Sequence, residues 1–206
     1  MKVLLFNGSP HEKGCTYTAL SEVAKTIALE GIETEIVWLG TKPIQSCTAC
    51  RSCATTKACV FDDIVNEAAV RCAKADGFIF GTPVHYAAAS GTLTTFMDRL
   101  FYTAGKTLAL KPAAGVVSCR RSGSTATFEQ INKYFTICQM PVVSSQYWNA
   151  VHGHSPEEVQ QDLEGMQTMR TLGRNMAWML KCIEAGTAAG IPRPYQEERV
   201  STNFIR

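Results

Sequence analysis

Four cysteines fall within 13 positions, at Cys47, Cys50, Cys53 and Cys59. Thiolates are soft ligands, and two-residue gaps let the first three converge on one centre without helical strain. Structural zinc sites usually draw on two separated pairs, so zinc is the weaker match. The Cys-x2-Cys-x2-Cys opening matches the ferredoxin type of run, in which cysteines hold an iron–sulfur cluster. The fourth cysteine follows after five residues rather than three, and no proline comes next. The plain alternative is a loop of structural or redox-sensing thiols.

A second run of interest is Asn7-Gly8-Ser9-Pro10-His11-Glu12-Lys13-Gly14-Cys15-Thr16. It joins an apolar stretch to a helical pattern, so backbone N–H groups and the positive helix end favour a phosphate there. Ser9 and Thr16 add hydroxyl donors. A Walker A loop is excluded, because Lys13 precedes Gly14 rather than following it. A dinucleotide fingerprint is excluded, because Pro10 stands at its second glycine. What remains is a monophosphate site or an ordinary strand-to-helix turn.

These residues need elements to position them. Apolar runs predict strands at 3–6, 35–39, 77–81, 113–118 and 141–145. Helical spacing predicts helices on Ala19, Leu20, Val23, Ala24 and Ile27, and on Val65, Ala68, Ala69 and Cys72 after Asp62-Asp63. Two more are predicted on Leu93, Phe96, Met97, Leu100 and Phe101, and on Phe128, Ile131, Phe135 and Cys138. One long stripe runs through Val159, Leu163, Met166, Met169, Leu172, Met176, Met179 and Ile183. Residues 40–61 show no period and read as a long loop. The remaining helical cysteines, Cys72, Cys138 and Cys182, read as core. Alternating strands and helices imply an α/β fold with a five-stranded parallel sheet. Ligands then sit beyond the carboxyl ends of the strands, which points to loops 7–16, 82–91 and 118–125.

The bulk numbers bound the class. The chain has 206 residues, 46% hydrophobic and 18% charged, with a formal net charge of +2. That suits one globular domain and argues against nucleic acid or a membrane surface as partner. Nine cysteines and an N-terminal apolar run that stops at Asn7 suggest thiols in the cytoplasm, with no signal peptide. No stretch approaches a membrane span.

Gly8-Ser9-Pro10, then Gly14-x-Thr16, then Thr82-Pro83 to Tyr86, Ser90-Gly91 and Asp98-Arg99 together resemble the NADPH-dependent FMN reductase family of flavodoxin-like proteins. The resemblance covers residues 1–149. It implies a flavodoxin-like three-layer sandwich with strand order 2-1-3-4-5. It also implies that Ser9, His11, Gly14, Cys15 and Thr16 wrap the FMN phosphate, although many relatives carry Asn where this chain has Cys15. Pro83, Val84, His85 and Tyr86 would lie along the isoalloxazine ring. Ser118, Arg120 and Gly123 would meet its pyrimidine end, with Arg120 or Arg121 near N1 or the NADPH phosphate. His85 either moves a proton or only packs the ring, and no side chain is assigned as catalytic. Asp98 and Arg99 are expected to make a structural ion pair or cap. Residues 145–149 would close the site of a neighbouring subunit in a homodimer or homotetramer.

The cysteine spacing resembles the iron–sulfur flavoprotein branch of the same fold. There the four cysteines hold a [4Fe-4S] cluster beside FMN and relay single electrons. The expectation is an FMN-dependent oxidoreductase that passes electrons from NAD(P)H through flavin to a small-molecule or protein acceptor. The alternative is an electron carrier whose partner is ferredoxin. A flavin- or thiol-dependent sensor is a third class, without a basic stripe to support a regulator. The expected organisation is a flavodoxin-like domain at 1–185, with a cysteine-rich insertion at 40–61, and a tail at 186–206.

Overall fold

Alternating side chains along three apolar strands build two cores at once. In the computed structural model, which describes residues 1–198, 200–202 and 204, Leu4, Phe6, Phe78, Phe80, Ala113 and Val117 enter one core. Their neighbours Val3, Leu5, Ile79, Ala114 and Val116 enter the other, as the two-residue period of a strand requires. The first half of the chain runs β1 (Lys2–Asn7), α1 (Cys15–Leu29), β2 (Glu33–Trp38), the single turn α2 (Cys53–Thr56), α3 (Ile64–Ala73) and β3 (Gly77–His85). The second half runs β4 (Ala88–Ala89), α4 (Gly91–Leu108), β5 (Ala113–Cys119), α5 (Ser124–Ile137), β6 (Ala150–His152), α6 (Pro156–Gln161) and α7 (Leu163–Ala188).

The sheet order is β2-β1-β3-β5-β6, with every pair in that path parallel. This is the expected 2-1-3-4-5 order once β4, an antiparallel partner of β3, is set aside. Helices α3, α4 and α5 cover one face, and α1, α6 and α7 cover the other. Gly81 lets α1 press close, since a Cβ there would stand 2.7 Å from Leu20 Cδ1. The flavodoxin-like three-layer architecture follows.

Five local expectations need correction. Residues 82–91 are not a plain loop, because β3 continues to His85 and turns back as β4. The fifth strand is not 141–145. Only one bridge, Ala113 to Val142, forms there, and the strand proper is Ala150–His152. The long C-terminal stripe is two helices. Asp162 leaves helical geometry between them, and its carboxylate accepts from Gly165 N at 2.9 Å and His152 N at 2.7 Å. A carboxylate that bonds nearby backbone N–H groups competes with helix continuity. Leu163 is 77% exposed at the new start of α7, and Ile183 and Cys182 are exposed near its end. Cys72 is core as expected, whereas Cys138 is only half-buried. The unpatterned stretch 40–61 contains the turn α2. Of the expected tail, residues 199, 203, 205 and 206 lie outside the described residues. Among the described residues, no helix is long and apolar enough to cross a membrane.

The aromatic core holds the site-bearing edge in register. Phe80 stacks on Phe6 with centroids 5.0 Å apart, and also meets Phe101 and Phe135. Phe80→Ala is expected to cost about 3–5 kcal/mol of unfolding free energy, read as a lower urea midpoint. An unchanged midpoint would contradict this packing.

Candidate functional site

Three loops meet at the carboxyl edge of the sheet. The first is held from inside. Asn7, fully buried at the end of β1, accepts from Ser9 N at 3.1 Å and donates to Glu12 O at 2.9 Å. Ser9 Oγ accepts from His11 N at 3.1 Å, and Trp38 Nε1 donates to Ser9 O at 2.8 Å. The loop then delivers Gly14 as the N-cap of α1, with no side-chain cap. Gly123 starts α5 in the same way. By contrast, Asp63, Ser90, Ser155 and Asp162 cap α3, α4, α6 and α7 with their own oxygens. The first-turn N–H groups of α1 and α5 are therefore left for another acceptor.

The second loop is a hairpin in which Val84 and His85 pair with Ala89 and Ala88. Its tip residues, Tyr86 and Ala87, have φ of 51° and 60°. A two-residue turn with both φ positive normally takes Asn-Gly, so non-glycine residues there store strain. Tyr86 is fully exposed. Pro83 lies opposite Ser118 in the β3–β5 register. Gly123 (φ 88°) seats the third loop against this hairpin, since a Cβ would fall 2.8 Å from Ala87 Cα and 3.0 Å from Val84 Cγ1.

Buried hydroxyls tie the loops together. Thr16 Oγ1 and Ser118 Oγ share a 2.8 Å hydrogen bond. Ser90 Oγ donates to Gly8 O at 2.7 Å, and Ser90 N donates to Thr82 Oγ1 at 2.9 Å. Cys15 donates toward Gly153 O at 3.8 Å. Burial pushes its thiol up, as it does that of Cys119. His11, His85, Arg120 and Arg121 are all exposed at the rim. Residues 145–149 are pinned by Ser145 Oγ to Thr168 O (2.7 Å) and Asn149 Nδ2 to Gly115 O (3.0 Å), leaving Tyr147 and Trp148 exposed.

The four sequence-selected cysteines line one cavity of ≈ 90 Å³, walled further by Phe61 and by Arg99, Tyr102 and Thr103 of α4. The loop reaches it through left-handed residues at Ala49, Arg51 and Lys57, with φ of 54°, 60° and 59°. Cys53 opens α2, and its Sγ donates toward Tyr102 O at 3.7 Å. Hydrogen bonds from Ser52, side chain first, hold the Cys50 thiol below its ordinary range. Asn66 pins the Cys59 backbone at both N (2.8 Å) and O (3.0 Å).

Arg99 organises this wall. It is 1% exposed. Its Nε donates to Cys59 Sγ at 3.2 Å and its Nη1 to Gln45 O at 3.2 Å and Asp63 Oδ2 at 2.6 Å. Its Nη2 donates to Phe61 O at 3.0 Å and Asp63 Oδ1 at 2.9 Å. The expected ion pair of Arg99 is therefore with Asp63, while Asp98 accepts from Tyr134. Among the described residues, no three His, Cys, Asp or Glu side chains are set to hold one metal ion. The soft thiol donors of the cavity suit a sulfur-ligated group. Four thiols surround it, a guanidinium offers positive charge, and the Thr103 hydroxyl on its wall is buried without a partner.

Sequence reasoning passed over Asn7 and Trp38 as positioning residues, and set Asp62-Asp63 at the start of α3 without the pairing of Asp63 to Arg99. Asn7 and Asp63 carried a signal, since Asn and Asp at a strand end or helix start bond the backbone nearby. Trp38 carried none.

The sequence profile described as NADPH-dependent FMN reductase matches residues 1–155. The iron–sulfur flavoprotein MJ1083 of Methanocaldococcus jannaschii is 34% identical over 195 residues, which is 89% of this chain and all of that protein. Among solved structures, RosB with bound 8-demethyl-8-formylriboflavin-5'-phosphate superposes with a TM-score of 0.71 at 16% identity, over 100% of this chain and 93% of that one. The NAD(P)H:quinone oxidoreductase of Methanothermobacter marburgensis gives 0.67 at 16% identity, over 85% of this chain and 96% of that one.

Gly123→Ala is expected to cost at least about 1 kcal/mol of stability from its positive φ. It should also weaken FMN binding at least tenfold, read by quenching of flavin fluorescence in a titration. Wild-type affinity in the variant would show that the hairpin and third loop need not touch.

Proposed function

This chain belongs to the NADPH-dependent FMN reductase family, and from that premise we propose that it is an oxidoreductase that takes electrons from NAD(P)H and passes them to a small-molecule or protein acceptor. FMN supplies hydride acceptance and electron release, and a [4Fe-4S] cluster in the cysteine pocket supplies single-electron transfer.

The observation that carries this reading is the paired absence of side-chain caps on α1 and α5, when four other helices have them. The α1 terminus and Ser9 bind the phosphate through N–H and O–H groups. Pro83, Val84 and Tyr86 give the ring an apolar face, with Gly123 keeping the hairpin close. Arg120 or Arg121 offers positive charge against a reduced ring. Burial keeps Cys15 and Cys119 as neutral thiols, so neither repels phosphate or reduced flavin. His85 has no assigned proton, since the cofactor carries the chemistry. The thiols, all free among the described residues, suit the reducing cytoplasm.

The four cysteines lining one pocket favour a second reading, an electron carrier served by ferredoxin. Anaerobic mixing with NADPH or NADH separates the two. The first reading expects flavin bleaching by a nicotinamide and steady turnover with a quinone. Bleaching by reduced ferredoxin alone would select the second. Cys53→Ser is expected to keep FMN and quinone turnover while losing iron. Loss of FMN along with iron would contradict separate sites.

A further inference from the structure

Three side chains of α4, those of Arg99, Tyr102 and Thr103, line the cysteine pocket. Arg99 places its Nε–H on Cys59 Sγ at 3.2 Å, and Thr103, one turn further on, lines the same cavity. Thr103 Oγ1 is buried, yet it has no hydrogen-bond partner. A threonine inside a helix ordinarily returns its hydroxyl to the preceding turn, and a buried hydroxyl left unpaired is unfavourable. Thr48, Arg51 and Tyr102 complete the polar lining, and behind the wall the two oxygens of Asp63 take both Nη groups of Arg99 at 2.6 and 2.9 Å.

We propose that Arg99 and Thr103 are positioning residues that set the reduction potential of the sulfur centre held by Cys47, Cys50, Cys53 and Cys59. This rests on the reading of those cysteines as cluster ligands. Hydrogen bonds and positive charge at ligand sulfurs favour the reduced state, which carries one more negative charge. Arg99 acts through Cys59, with Asp63 damping its charge. Thr103 donates its free hydroxyl to a sulfur of the bound group. The electron enters alone, with no bond broken and no proton taken from either residue.

The test is a spectroelectrochemical titration of the full chain, purified without oxygen and loaded with FMN, using dithionite as reductant. Iron and sulfide are assayed first. Thr103→Val is isosteric and removes the orphaned hydroxyl, so its urea midpoint without metal is expected to match or exceed the wild type. Its cluster should be harder to reduce by about tenfold in the equilibrium, which is about 59 mV for one electron. Thr103→Ser should restore the wild-type potential. Asp63→Asn keeps an oxygen for the α3 cap and removes the damping charge, so its potential should move the other way by a similar factor. A structural role alone would not give opposite signs.

Thr103→Val titrating with the wild type would overturn the proposal, as would shifts of the same sign in Thr103→Val and Asp63→Asn. If Asp63→Asn fails to load FMN, Thr103→Val and Thr103→Ser decide it. A flavin-loaded wild type without iron would overturn the cluster reading and this inference with it. Iron present with an unmoved potential would overturn this inference only.

Discussion

A buried guanidinium must place all five of its N–H donors, and Arg99 does so by gathering both feet of the cysteine loop onto α4. Gln45 O comes from one foot, and Cys59 Sγ, Phe61 O and the Asp63 carboxylate come from the other. Leaving such a group without its partner costs about 3–5 kcal/mol. The Lys181–Glu30 pair, with both side chains more than 40% exposed, is screened by water and holds the fold far less. The loop 45–63 is therefore not a free insertion. Cys59 is held by this side chain, and the Asp63 that neutralises it also caps α3.

The carboxyl edge of the sheet is organised on the opposite principle, by what is withheld. Helices α3, α4, α6 and α7 satisfy their first turns with capping side chains. The two that follow β1 and β5 present glycine instead. The rigid part of the site lies below, where Asn7, Thr16, Thr82, Ser90 and Ser118 are buried and hydrogen-bonded. The strained part lies at the tip, in Tyr86 and Ala87. A pre-set polar floor with an adjustable apolar rim suits a flat ring anchored through a phosphate.

How much of this could be read in advance follows from where each signal is stored. Strands β1, β3 and β5 are buried on both faces, so continuous apolar runs betray them. The cysteine spacing is local and legible too. Strand β6 has only three residues, and the better-looking run at Val142–Val143 makes one bridge before the chain leaves the sheet. There Asn149 Nδ2 takes the Gly115 carbonyl through its side chain. The Val84–Ala89 hairpin lacks the Asn-Gly signature that would announce its turn. Cys182 and Ile183 continue the helical period beyond Leu180, the last buried residue of α7, so the pattern outlasts the burial. The Arg99–Asp63 pair spans 36 positions, and no local rule links them.

We propose one chain that carries FMN at the sheet edge and a sulfur-ligated redox group beside α4. The most direct test is the absorption spectrum of protein purified without oxygen, with FMN, iron and acid-labile sulfide assayed per chain. Flavin bands, a broad shoulder near about 400 nm and about four irons with matching sulfide are expected, as a Cys₄-held cubane requires. Flavin without iron would contradict the assignment of the cysteine pocket. Neither flavin nor iron, even after FMN is added, would contradict the whole.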